Sequence, residues 1–259
     1  MREIRRKIGL ARTLSKLGYC SRSRAAELIL AGRVSLNGRI RRDPETPVPG
    51  KNRIAVDRKL VDPQAKIYLM LNKPRGVVTT ASDEKGRETV YALLSAKSPD
   101  GKDTSLDDLP PWLAPVGRLD KASEGLLLLT NDSEWGARIA APEAHLDKTY
   151  HVQVDTVANE GHLQSLVRGV EAEDGEVLRA TRASLLRAGE KHCWIEIVLD
   201  EGRNRQIRRM MKAMDVEVLR LVRVAIGPLR LGDVAKGQYR SLTADEKRML
   251  DRELTGKAS

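Results

Sequence analysis

The chain has 259 residues, 41% of them hydrophobic and 32% charged, with a net charge of +10. That length allows one main domain with its own core plus a small module. No apolar run approaches the roughly 18 residues of a membrane span, and the basic opening MREIRRKIGLARTL lacks the apolar stretch of a secretory leader. Cys20 and Cys193 form no CxxC and predict no disulfide framework, which points to a reduced, cytoplasmic setting. With no Phe, 3 Trp and 5 Tyr, the core is expected to be aliphatic, and each aromatic is a scarce stacking surface.

The charge is uneven. Residues 1–60 hold 16 basic against 5 acidic side chains, whereas the other 199 hold 30 against 31. A basic module tethered to a near-neutral body is the pattern of a polyanion binder. The module shows hydrophobic periodicity, so a folded unit is expected rather than a basic tail. Leu10, Leu14 and Leu17 share a helical face that Gly18 ends. Ser21 caps a second helix, SRSRAAELILA, with Ala25, Leu28 and Ile29 on one side. Asn37-Gly38 between Arg33–Leu36 and Arg39–Arg41 marks a hairpin. A proline-rich loop follows, then a closing strand near Arg53–Val56 and a linker over 61–66.

The body is expected to open with the buried strand Ile67–Leu71, a turn at Asn72–Gly76 and a returning strand at Val77–Thr80. Residues 97–108 read as a polar surface insertion. Strands are expected at Leu126–Thr130, Tyr150–Val154, Ala183–Leu186 and Trp194–Leu199, and helices at Gly161–Gly169 and Arg203–Met214. The fold class is α+β: a basic module of two helices and a hairpin over residues 8–66, joined to a mixed, largely antiparallel sheet with flanking helices over 67–255.

Several chemistries find no support. The chain has no GxxxxGK[ST] loop, no glycine-rich dinucleotide or methyl-donor turn, no GxSxG elbow and no His or Cys at metal-ligand spacing. No cofactor and no metal are expected. Three segments stand out instead. Asp120 sits in the Gly-bounded polar turn GRLDKASEG ahead of an apolar run, where turn or cap duty is the ordinary role of an Asp. In EGRNRQIRRMMKAM, residues Ile207, Met210, Met211 and Met214 share one helical face, and Arg205, Arg208, Arg209 and Lys212 the opposite one. With no acid between Arg203 and Lys212, the basic stripe predicts bound phosphate or a buried carboxylate partner. Tyr150 enters a strand, ordinarily as core, but is a candidate plate for a base in so aromatic-poor a chain.

GRLDKASEGLLLLTND closely resembles the active-site signature of bacterial ribosomal RNA pseudouridine synthases of the small- and large-subunit type. LSKLGYCSRSRAAELILAGRVSLNGRI resembles the small RNA-binding domain first known from ribosomal protein S-four. The likeness covers nearly the whole chain through LNKPRGVVTTASDEKGRETV and IGPLRLGDVAKGQYRSLTADE. In its EGRNRQIRRM wording it is greatest to the large-subunit pseudouridine synthase B branch. The resemblance implies Asp120 as nucleophile, Tyr150 stacked on the target base, and Arg203 as the cation paired with Asp120, with Arg208 the other choice for that role. It implies RNA contacts through Arg22, Arg24, Arg33, Arg39, Arg118, Arg205, Arg208, Arg209 and Lys212. The implied partner of a monomeric chain is ribosomal RNA, large-subunit favoured, free or within a pre-ribosomal particle. The alternatives are a small-subunit target, or a non-catalytic RNA-binding assembly protein. A methyltransferase fused to the same module would need the missing donor turn.

Overall fold

A computed structural model describes residues 8–80, 86–94 and 112–256. The N-terminal unit contains α1 (Leu10–Lys16) and α2 (Arg22–Leu30), followed by β1 (Val34–Leu36), β2 (Arg39–Arg41), β3 (Ile54–Val56) and β4 (Lys59–Leu60). Ser21 caps α2 by accepting from the Arg24 amide at 3.1 Å, and Asn37 and Gly38 both take positive φ in the hairpin turn, as an Asn-Gly pair allows. The strands form an antiparallel sheet in the order β2-β1-β3-β4. Leu10, Leu14, Ile29 and Val34 lie fully buried in a core of their own.

The body runs β5 (Tyr68–Lys73), α3 (Val90–Leu94), β6 (Ala114–Val116), β7 (Glu124–Thr130), α4 (Ser133–Ala140), β8 (Lys148–Val154), α5 (Glu160–Arg168), β9 (Val170–Glu171) and β10 (Val177–Leu178). It continues with β11 (Arg182–Ala188), β12 (Cys193–Leu199), α6 (Gln206–Lys212), β13 (Val218–Ile226), β14 (Leu229–Arg230), β15 (Tyr239–Ser241) and α7 (Ala244–Gly256). Nine strands form one sheet in the order β11-β12-β8-β13-β7-β5-β15, with β14 on β13 and β6 on β7. Its pairs are antiparallel except β13 with β7. The fold is α+β, as the sequence implies. Among the described residues no helix is long and apolar enough to cross a membrane.

The parallel pair organises the centre. Gly125 takes φ +103°, and a Cβ there would stand 2.2 Å from the carbonyl oxygen of Arg223. Only glycine permits that approach. The register then draws one row across four strands: Lys73 opposite Gly125, Gly125 opposite Arg223, and Arg223 opposite Tyr150. Asp120 precedes β7 by four residues, so its turn sits above the middle of this row.

Two sequence expectations change. Val77–Thr80 forms no returning strand; Val78 makes only an isolated bridge with Thr89, and the Thr79 hydroxyl donates to the Leu119 carbonyl at 2.8 Å. The β-branched run is spent on bracing the Asp120 turn. The helix expected over 203–214 begins at Gln206, because Arg205 takes a left-handed φ of +49°. The insertion expected at 97–108 lies wholly outside the described residues. The sequence reading also passed over β13, the nine-residue strand between β7 and β8.

The two units touch through polar groups. Arg12 and Lys16 meet Glu134 at 3.1 and 2.8 Å, Ser15 reaches Ser133 at 3.1 Å, and the Lys66 ammonium donates to the Lys16 carbonyl at 2.6 Å.

Candidate active site

The turn that carries Asp120 is held from below by a buried cation. Lys73 has no solvent exposure, and its ammonium donates to the carbonyls of Pro74, Asp120 and Ser123 at 3.0, 3.1 and 2.8 Å. The Gly76 amide donates to the Lys121 carbonyl at 2.8 Å. Burial pushes the Lys73 pKa down to about 8, while Asp120 and Glu124 pull it upward. Three carbonyl acceptors around one ammonium leave the turn little freedom.

Glu124, the next acid along, is also buried but fully engaged, with Arg220 at 3.1 Å and Lys236 at 2.7 Å. Burial raises its pKa, and these two cations outweigh that and hold the carboxyl below the usual range. Asp120 differs. It is half-buried, and among the described residues its carboxylate accepts no hydrogen bond and closes no ion pair.

Asp120 opens into a cleft of about 310 Å³ whose wall includes Arg118, Tyr150, Arg203, Arg205 and Arg223. The volume is in the range of ligand pockets, about 300–1,000 Å³. Tyr150 packs its ring against the clusters on both sides of the cleft, yet its hydroxyl has no partner among the described residues. Arg223 is 6% exposed; its Nε donates to the Leu126 carbonyl at 2.8 Å, while one terminal nitrogen is buried without an acceptor.

Asp120 and Tyr150 thus share the cleft, and Arg118 stands exposed at its rim. Arg203 lines the cleft too, but its guanidinium turns to Glu201 at 2.8 Å and to Glu176, not to Asp120. Arg208 is the nearer match to the cation beside the carboxylate. Its two terminal nitrogens donate to Ala122, in the Asp120 turn, at 3.2 Å and to Val218 at 3.1 Å. Burial lowers its pKa, Arg205 and Arg75 add to that, and Asp120 opposes them.

The stripe on α6 is not unopposed. Arg209 meets Asp174 and Glu176 at 2.6 and 2.7 Å, and Lys212 meets Glu173 at 2.7 Å. These acids sit in the β9–β10 turn, some thirty residues earlier in the chain, where no local window finds them. Arg205 alone of the stripe lacks both a carboxylate and a hydrogen-bond acceptor among the described residues. In the N-terminal unit, Arg24 pairs with Glu27 and Arg33 with Asp57, whereas Arg22 and Arg39 are exposed without an ion pair among the described residues. Lys73, Arg223 and Arg75 escaped the sequence reading. A charged residue closing an apolar strand, as in YLMLNK, was the available signal for the first.

A carboxylate and a phenol left uncommitted in a cation-lined cleft, in a body tethered to a basic module, define an enzyme that works on a polyanion. Comparison with known proteins makes the class specific. Residues 67–213 match the family described as RNA pseudouridylate synthase, and residues 8–54 match the S4 domain. An uncharacterised RNA pseudouridine synthase of Aquifex aeolicus is 36% identical over 90% of this chain and 89% of its own length. The ribosomal large subunit pseudouridine synthase B of Bacillus subtilis is 35% identical over 70% of this chain and 69% of its own. A crystal structure of a pseudouridylate synthase superposes with a TM-score of 0.63 at 28% identity, covering 94% of this chain and 99% of that one. The chain belongs to the RNA pseudouridylate synthase family, and is an isomerase acting on RNA.

Proposed function

We propose that the chain converts a uridine of ribosomal RNA to pseudouridine, with large-subunit RNA as the favoured substrate and the cytoplasm as the setting. The Bacillus relative's large-subunit name supports the substrate, and the basic N-terminal unit supports an extended RNA contact. The reaction detaches uracil from ribose carbon 1′, rotates it and rejoins it through base carbon 5, with no net redox change.

Asp120 is the carboxylate that either attacks the base or ribose or takes a ribose proton. Both roles use the carboxylate form. The Arg208 guanidinium and the Lys73 ammonium, each bonded to a backbone carbonyl of the same turn, fix where that carboxylate stands. Tyr150 supplies the face on which the extruded base stacks. Base–aromatic stacking contributes about 1–3 kcal/mol, which offsets part of the few kcal/mol that flipping costs. Binding contacts on the N-terminal unit add a second attachment point and raise the local concentration of RNA at the cleft.

The observation that carries this reading is the uncommitted carboxylate of Asp120 sharing its cleft with Tyr150. The test is Asp120→Asn, with pseudouridine mapped at nucleotide resolution in both ribosomal RNAs from a strain lacking the gene. The variant is expected to bind RNA normally and to form no product. Normal product formation by the variant would overturn the assignment, and mapping to small-subunit RNA would move the substrate.

A further inference from the structure

The cleft has a neighbour. A cavity of about 410 Å³ lies between α6 and the start of β13, lined by Asp155, Arg205, Arg208, Lys212, Asp215 and Glu217. Arg205 lines both spaces, and it does so from a left-handed backbone that a non-glycine residue adopts at a cost of about 1 kcal/mol or more. Arg208, bonded to Ala122 on one side and Val218 on the other, spans between the Asp120 turn and this cavity. Its Nε is buried without an acceptor.

The cavity is polarised. Toward the cleft stand Arg205, without a counter-ion among the described residues, and Arg208; Arg75 lies on the same strand end, donating to Leu219 at 3.4 Å. The rest of the charged lining, which the cleft does not share, is three carboxylates and Lys212, whose ammonium is already met by Glu173 at 2.7 Å. Asp155 accepts from the Glu217 amide at 2.9 Å, and none of Asp155, Asp215 or Glu217 closes an ion pair among the described residues. They do not converge as metal ligands would. A nucleotide is polarised in the same sense, with an anionic phosphate at one end and, on three of the four bases, an amino group at the other.

We infer that this second cavity holds the nucleotide adjoining the target uridine, its phosphate on Arg205 and Arg208 and its base edge on the carboxylates. The enzyme therefore selects a neighbour that bears an exocyclic amino group, adenine, cytosine or guanine, over uracil. Carboxylates accept from such amines, whereas uracil offers only one N3–H, flanked by two carbonyl oxygens that would face like charge. The inference rests on the proposed RNA reaction at Asp120 and adds the sequence context of its substrate.

The test uses the full-length protein and fluorescein-labelled single-stranded RNA nonamers. Each has one central uridine with adenine, cytosine, guanine or uracil on its 5′ or its 3′ side, every other position being abasic. Anisotropy titrations at one fixed salt concentration are expected to show tighter binding, by about fivefold or more, when an amino-bearing base occupies one particular side. Asp215 has φ +55° and is exposed, so Asp215→Gly combined with Glu217→Ala removes two carboxylates without backbone strain. That double variant is expected to bind all of the oligomers equally. Arg205→Ala is expected to weaken every oligomer by the same factor. Equal affinities in the wild type, no binding of any oligomer, or a preference that survives the double variant would each overturn the inference. Pseudouridine formation by the same wild-type preparation on ribosomal RNA is scored separately: its absence sinks the reading of the Asp120 cleft, whereas equal affinities with product formation intact sink only the neighbour pocket.

Discussion

The Lys73 ammonium, wholly out of solvent, donates to the backbone carbonyl of Asp120 at 3.1 Å. The contact is to the main chain, so it places the carboxylate without neutralising it. A lysine in this position is a positioning residue, and its own titration reports on the fold.

Lys73→Met retains the volume of the stem and deletes the donor to three carbonyls. Turnover is expected to fall while RNA affinity stays within about twofold. The folded pKa of about 8 lies below the ordinary 10.5, so between these values the unfolded chain binds more protons than the folded one. Stability of the wild type relative to Lys73→Met must then rise with pH from about 8 to 10.5, by up to about 3 kcal/mol, and stay flat below 8. Urea unfolding across that window measures it; a falling difference would show the sign to be wrong.

Arg208 and Arg203 separate by charge partner. Arg208→Lys keeps the charge but cannot hold Ala122 and Val218 at once. Its turnover is expected to drop by about tenfold or more, roughly 1.4 kcal/mol of barrier. Arg203→Lys, whose partners are Glu176 and Glu201, is expected to stay within about threefold of wild type, since exposed pairs contribute little. Single-turnover kinetics on ribosomal RNA compare the two, and the reverse ranking would return Arg203 to the side of Asp120.

Gly125→Ala forces a Cβ to within 2.2 Å of the Arg223 carbonyl at a φ of +103°. The left-handed backbone and the overlap together are expected to destabilise the fold by about 2–5 kcal/mol. The β7–β13 pairing would loosen, and with it the row from Lys73 to Tyr150. A urea midpoint unchanged within error would contradict this.

In the N-terminal unit, Arg22→Ala and Arg39→Ala are each expected to lower the slope of log affinity against log salt by about 0.7–0.9, one phosphate contact apiece. Arg33→Ala should change it less, because its guanidinium is already held by Asp57 at 2.5 Å. Equal slopes for all three would separate this surface from RNA.

Local chemistry made much of the chain legible. Ser21 and the Asn37-Gly38 pair specify their cap and turn through their own side chains and backbone preferences, and the Ile207, Met210 and Met211 spacing fixes the buried face of α6. Such features depend on contacts a few residues apart. The N-terminal charge excess is likewise a property of contiguous sequence and pointed to a polyanion, whereas the Asp120 turn stood out from ordinary turns only through its resemblance to a known family's signature.

Tertiary structure decided what those residues face. β13 enters the sheet beside β7, from which it is separated by nearly ninety residues, and its Arg220 and Arg223 break the apolar pattern that would have announced a buried strand. The counter-ions of Arg203, Arg209 and Lys212 arrive from the β9–β10 turn, which leaves Arg205 and Arg208 as the cations of this stripe that no carboxylate meets among the described residues, Arg208 being held by backbone carbonyls alone. Charge is written in sequence, but which charge is already answered depends on chain segments that meet only when the sheet closes, since pairing energy falls off over a few ångströms and not over a number of residues.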